Sequence, residues 1–175
     1  MKKAFFFRQF LDNKRLKLNV FNKFYADFFK LLRYFYTYKY KKTLNASISR
    51  EIDLNKSFVY FPLHLQPELT TRILGGIYKD QVLAIERLSR ILPDDFYIYV
   101  KENPKQTEYQ RGKAFFKRLN ALKKVVIVPN ETSTYDLISK CQFVSTITGT
   151  AGWEAVTGGK NVLVFGKAWY KKLPG

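Results

Sequence analysis

One cysteine, one histidine and one methionine stand in a chain of 175 residues. The lone cysteine, Cys141, excludes an internal disulfide and fits a reducing compartment. It falls at the end of an expected helix, which makes it a buried structural thiol. Cys, His, Asp and Glu are nowhere grouped at metal-ligand spacing, so no metal and no cofactor are expected. No apolar run approaches the roughly 20 residues that a membrane-spanning helix requires. The opening Met-Lys-Lys-Ala-Phe-Phe-Phe starts like a secretory signal, but Arg8 interrupts it and no small-residue cleavage site follows. The protein therefore reads as cytoplasmic. There is no Gly-x-x-x-x-Gly-Lys-Ser/Thr loop, no Gly-x-Gly-x-x-Gly fingerprint and no internal repeat.

Acidic residues are also scarce, 14 against 31 Lys and Arg, for a net charge of +17. The imbalance is concentrated at the start. Residues 1–50 carry 13 Lys and Arg against two acids, and half of all Phe and Tyr. This portion, with a linker to residue 55, reads as a basic aromatic helical segment, and residues 56–175 as an ordinary globular domain. Phe21, Phe24, Tyr25, Phe28, Leu32 and Phe35 recur at helical spacing, with Lys23, Asp27, Lys30 and Arg33 largely opposite. Such a stripe packs on a domain; the alternative is contact with an anionic membrane face, here the inner membrane. Tyr34 to Lys42 mixes aromatic and basic residues as single-strand nucleic-acid binders do. No RNP motif or zinc-ligand pattern accompanies it, so nucleic acid ranks last among the partners.

From residue 58 on, strand and helix patterns alternate. Strands are expected at 58–61, 96–100, 125–128, 143–148 and 161–165, and helices at 78–92, 107–122, 133–139 and from Trp153 to Thr157. Pro62, Pro93, Pro104 and Pro129 punctuate them. The expected fold class is α/β: a Rossmann-like parallel sheet of about five strands with helices on both faces. Ligands of such sheets bind beyond the carboxyl ends of the strands. Four segments then share one rim: His64 to Thr71, Lys101 to Pro104, Asn130 to Ser133, and Thr148 to Glu154.

The last segment, Thr148-Gly149-Thr150-Ala151-Gly152-Trp153-Glu154, carries the most information. Small residues between a strand and a helix let backbone N–H groups approach a ligand, and the helix N-terminus favours negative charge. Thr148, Gly149, Thr150 and Gly152 point to a phosphate and so to a nucleotide-type ligand. Glu154 fits ribose hydroxyls, or is a plain N-terminal helix acid; Trp153 fits packing. His64 can donate to a phosphate or move a proton, or it satisfies a loop backbone. Gln66-Pro67 presents an amide suited to a base or sugar. Glu68 suits a ribose hydroxyl or a base role, or is an exposed loop acid. Lys101 can neutralise phosphate and Asn103 can bond a nucleobase or phosphate, although Asn103-Pro104 is equally a turn. His64 and Glu68 are the catalytic candidates. Asp94-Asp95 precedes a strand, at the opposite rim, and reads as a solvated turn.

Phe-Pro-Leu-His-Leu-Gln-Pro-Glu-Leu-Thr-Thr at 61–71, Lys-Glu-Asn-Pro at 101–104 and Thr-Gly-Thr-Ala-Gly-Trp-Glu-Ala at 148–155 together resemble bacterial capsule and surface-polysaccharide biosynthesis proteins. That family is similar to the retaining Kdo transferases of capsule assembly. The resemblance implies half of a GT-B glycosyltransferase fold, with a nucleotide sugar as donor, no metal, and a polysaccharide or glycolipid as acceptor. A Gln-Pro and a His-Pro motif of those enzymes contact the CMP of CMP-Kdo. They map onto Gln66-Pro67 and Asn103-Pro104, where Asn replaces His and leaves the donor open. The resemblance also implies that the chain is a truncated donor-binding half whose acceptor half is supplied elsewhere. Two other readings stand beside it: a non-enzymatic basic module for nucleic acid or membrane, and an inactive remnant.

Overall fold

Runs of β-branched and aromatic residues fit a pleated surface buried on both sides, and five of them form the sheet. The computed structural model describes residues 2–49, 51–107 and 111–171, the first twenty of these by backbone only. The strands are β1 (Phe58–Pro62), β2 (Tyr97–Lys101), β3 (Val125–Val128), β4 (Phe143–Thr146) and β5 (Val162–Val164). All are parallel, in the order β3-β2-β1-β4-β5. The helices are α1 (Lys2–Ser47), α2 (Leu69–Leu74), α3 (Gln81–Ile91), α4 (Lys113–Asn120), α5 (Thr134–Lys140) and α6 (Thr150–Thr157). A short 3-10 helix, Gly76–Lys79, precedes α3.

The pleat sends alternate side chains to opposite faces. Val59, Phe61, Ile98, Val100 and Ile127 pack with Val82, Ile85 and Leu88 of α3, Phe116 and Leu119 of α4, and Tyr40 and Leu44. Phe58, Tyr60, Tyr99, Val128 and Val144 pack with Leu137 of α5 and Ala155 of α6. Helices thus cover both faces, as the alternating pattern predicts. Each fully buried Val, Ile or Phe contributes about 1.5–3 kcal/mol. Cys141 is buried in the second layer, and burial pushes its thiol pKa up.

Element boundaries moved where a cap intervened. Asp80 accepts from the Val82 N–H at 3.2 Å and starts α3 at Gln81, three residues later than the periodicity predicts. Ser133 accepts from Asp136 N–H and caps α5, as expected. Helix α4 begins only after Gly112, whose extended backbone ends the chain's approach to it; residues 108–110 of the expected longer helix lie outside the described residues. Helix α6 begins at Thr150 instead of Trp153, so the small residues of the turn form its first turn. No helix was expected from the sequence at α2.

The chain divides into two units, Met1–Lys39 and Tyr40–Gly175. The first is helical, and Phe24, Phe28, Leu31 and Phe35 are exposed on it; the Phe21 side chain lies outside the described residues. The second begins within α1, where Tyr40 and Leu44 are buried. Among the described residues no helix is long and apolar enough to cross a membrane.

Candidate functional site

The strand order creates a crevice. From β1 the chain moves outward to β2 and β3, then returns to lay β4 on the other side of β1. Loops leaving β1 and β4 therefore diverge from neighbouring strand ends, which is where open α/β sheets hold ligands.

His64 spans this gap. It follows β1 and is 7% exposed. Its Nε2 accepts the Ile147 N–H at 3.2 Å and, more weakly, the Thr148 N–H at 3.5 Å, both just beyond β4. Thr146 Oγ1 also lies 3.0 Å from Nε2. Backbone N–H groups aimed at Nε2 require a lone pair there, so the proton resides on Nδ1. Nδ1 faces Thr71 Oγ1 at 3.3 Å, and Thr71 donates to Glu68 Oε2 at 3.2 Å. The imidazole is thus neutral, and its two nitrogens are engaged by the protein itself. Burial, and secondarily the Arg111 charge, pull its pKa down to about 4.

The loop behind His64 is fastened by side chains buried in the same layer. Gln81 Oε1 accepts from His64 N–H at 2.8 Å while its Nε2 donates to His64 O at 3.1 Å. Gln106 reproduces this on Gln66, accepting from its N–H at 2.7 Å and donating to its carbonyl at 2.8 Å. Arg111, 1% exposed, donates to His64 O at 2.7 Å and to Gln66 Oε1, and pairs with Glu102 Oε2 at 3.1 Å. A charge buried this completely persists only when paired and fully hydrogen-bonded. The pair sits within the loop after β2, and the bonds from Arg111 to His64 O and Gln66 Oε1 tie that loop to the loop after β1.

In front of these loops lies a cavity of about 600 Å³. His64, Glu68, Asn103, Thr148, Gly149 and Thr150 line it, so six of the residues singled out from sequence do converge. Ala151 of α6 is on the same wall, and Lys105, Lys167 and Trp169 complete the rim. The Gly152 N–H bonds Gly149 O at 3.1 Å, and the Thr150 and Ala151 N–H groups before it stand at the positive end of the helix dipole without an intrahelical partner.

The other six lie elsewhere. Gln66 is buried, and its amide is consumed internally: Nε2 donates to Lys79 O at 2.8 Å and Oε1 accepts from Arg111. Pro67, joined by a cis peptide bond, and exposed Pro104 shape loops beside the cavity. Lys101 turns toward the β3 loop, donating to Thr132 O at 2.5 Å and Thr134 Oγ1 at 2.9 Å, and burial lowers its pKa. Glu154, one turn into α6, lines a second cavity of about 520 Å³ with Thr134, Tyr135 and Lys160. Gly152 is buried against Tyr170, whose hydroxyl occupies the space a Cβ would need. That hydroxyl donates to Gly149 O at 2.6 Å. The missing side chain admits a tyrosine of the same chain, not a ligand. Gly149 is similar, since a Cβ there would meet His64 Cε1 at 2.8 Å. Trp153 packs on Trp169, with ring centroids 4.6 Å apart.

Gly152→Ala is accordingly expected to cost about 1–3 kcal/mol by overpacking against Tyr170 and Thr146. Thermal unfolding measures this, and an unchanged melting temperature would remove the steric account.

Lys105, Lys167, Gln81, Gln106, Arg111 and Tyr170 had no sequence signal. Each sits outside a motif, and Gln81, Gln106, Arg111 and Tyr170 gain their roles from partners far along the chain. Lys105 alone stood beside one, directly after Asn103-Pro104.

A family model described as capsule polysaccharide biosynthesis protein matches residues 1–175. The chain belongs to the capsule polysaccharide biosynthesis family. Two solved structures share the arrangement of this capsule-family chain. The beta Kdo 2,7 transferase KpsC of Thermosulfurimonas dismutans is 21% identical over 74% of this chain and 40% of its own, with a TM-score of 0.53. The beta Kdo 2,4 transferase KpsC of the same organism is 17% identical over 78% of this chain and 46% of its own, with a TM-score of 0.51. At these identities the likeness is one of fold, half of a GT-B-like arrangement. The capsule-family chain spans less than half the length of either structure. A search among curated proteins finds no significant match.

Proposed function

We propose that this capsule-family chain is the donor-binding half of a glycosyltransferase of surface-polysaccharide assembly, and that it grips the phosphate of a nucleotide-activated sugar. The observation that carries this reading is the cavity between the β1 and β4 loops. Its wall is the first turn of a helix, and Lys105 and Lys167 stand on its rim. Backbone N–H groups of Thr150 and Ala151 and the two ammonium groups would hold the phosphate and stabilise the charge it gains as a leaving group. Glu68 and Asn103 line the same space and would accept from and donate to sugar or ribose hydroxyls. Glu154, in the second cavity, would hold the ribose of the nucleoside. Gln66 and Arg111 would act from behind, fixing the loop that carries His64. The acceptor, a polysaccharide or glycolipid, and the group that activates it would come from a second half.

A thermal-shift series with CMP, CDP, UDP and GDP tests the reading. A nucleotide at a hundred-fold excess over its dissociation constant adds about 2.7 kcal/mol. For a domain of this size that is a rise of about 5–10 °C. Lys105→Ala combined with Lys167→Ala should remove most of it. No shift with any of the four at millimolar concentration overturns the proposal.

A further inference from the structure

Among the described residues Trp169 is the one Phe, Tyr or Trp on the wall of the 600 Å³ cavity, and it is 71% exposed. Its indole is a broad apolar surface beside a concave space of small-molecule size. The indole is nonetheless held in place. It packs on Trp153, and on Tyr170 edge-to-face with centroids 5.5 Å apart. Tyr170 is buried, and its hydroxyl is bonded to the Gly149 carbonyl. The ring is therefore tied to the turn that forms the cavity wall. Lys105 and Lys167, both exposed, line the same cavity and form no ion pair among the described residues.

We infer that Trp169 is a stacking platform for the pyranose ring of the activated sugar, with Lys105 and Lys167 beside it for anionic groups. This rests on the phosphate reading above. The phosphate is assigned to Gly149–Ala151 on the wall of the first cavity, and α6 also contributes to the lining of the second. Glu154, with the hydroxyl of Thr134 and the ring of Tyr135, lines the second, so the nucleoside leaves the phosphate in that direction. The sugar then extends the other way, toward Trp169. A pyranose ring presents axial C–H groups on its faces and hydroxyls at its edge. A broad indole surface rimmed by polar groups matches both parts.

Isothermal titration of the wild type, Trp169→Ala and Trp169→Phe tests this, with CMP, UDP, CMP-Kdo and UDP-N-acetylglucosamine as probes. In the wild type, at least one sugar-bearing nucleotide binds tighter than its bare nucleotide. Trp169→Ala weakens that sugar-bearing nucleotide ten-fold or more, leaves bare-nucleotide affinity within two-fold, and Trp169→Phe recovers most of the loss. Equal weakening of bare and sugar-bearing nucleotide would mean that the indole stacks on the base, and would overturn the assignment. So would an unaltered preference in Trp169→Ala. If a bare nucleotide binds but its sugar adds nothing, the platform fails while the phosphate site stands. If none of the four binds, the phosphate reading fails and the platform with it. The Phe variant keeps the test meaningful should Trp169→Ala lower the melting temperature.

Discussion

Replacing Glu102 by alanine lowers the unfolding free energy by about 3–5 kcal/mol, the usual cost of breaking a buried ion pair from one side. The Arg111 guanidinium would remain at 0% side-chain exposure with its counter-charge gone. His64 O and Gln66 Oε1 would still accept from it, but neither carries charge. Against a typical domain stability of about 5–15 kcal/mol, this is about a fifth or more of the total. Glu102→Gln keeps an acceptor and should lose less. The double variant Glu102→Met, Arg111→Met should recover much of the loss, because two apolar side chains of similar length leave no stranded charge. Urea midpoints measure all three. A Glu102→Ala variant within 1 kcal/mol of the wild type would show that the pair does not hold the two loops together. The proposed nucleotide binding should weaken with stability here, since His64 and Asn103 ride on the loops that Arg111 joins.

Acidification should destabilise the protein through His64, by roughly 2 kcal/mol between pH 7 and pH 5. The sign follows from the proton balance. An unfolded histidine takes up its proton near pH 6.5, whereas native His64 does so only near pH 4. Between those values the unfolded chain binds more protons, so stability rises with pH. The contribution is complete above about pH 7 and is lost as pH falls through that window. Protonation would also turn Nε2 from an acceptor into a donor facing the Ile147 N–H, which is the geometric root of the penalty. Urea unfolding at both pH values, compared between wild type and His64→Gln, isolates the histidine's share. Because the chain has a single histidine, its ring-proton NMR titration reads the same quantity directly. A midpoint near 6.5 would contradict the buried clamp. At neutral pH a neutral, fully engaged imidazole contributes no positive charge to the cavity, so the proposed phosphate site relies on Lys105, Lys167 and the α6 terminus for it.

The legible part of the fold was the part encoded by local pattern. Strand Val125–Val128 matched its apolar run to the residue, because Lys124 and Pro129 bound it tightly, while the other four differ by one or two residues at their ends. Helix α2 was missed because Leu69, Ile73 and Leu74 are exposed, so no buried stripe betrays it. The start of α6 was misplaced because glycine-bearing turns and first helical turns have the same composition. The site was legible in outline only. Gln66 and Glu154 were singled out for their chemistry, which sequence displays, while their direction depends on neighbours that it does not. The glycines at 149 and 152 were read as room for a ligand; the atoms that fill those spaces are His64 and Tyr170.

Amino-acid order alone determined an alternating α/β chain, a rim of polar post-strand segments, an uneven positive charge and a family resemblance carried by three short blocks. These are properties of neighbouring residues and of spacing along one chain. Tertiary structure alone decided that the rim's useful crevice is the one between β1 and β4, that Lys105 and Lys167 face it while Lys101 does not, and that Arg111 is the buried post joining its loops. The reason is physical. A side chain's hydrogen bonds, protonation and access to a ligand are set by groups tens of residues away, and only strand order and packing bring those groups within reach.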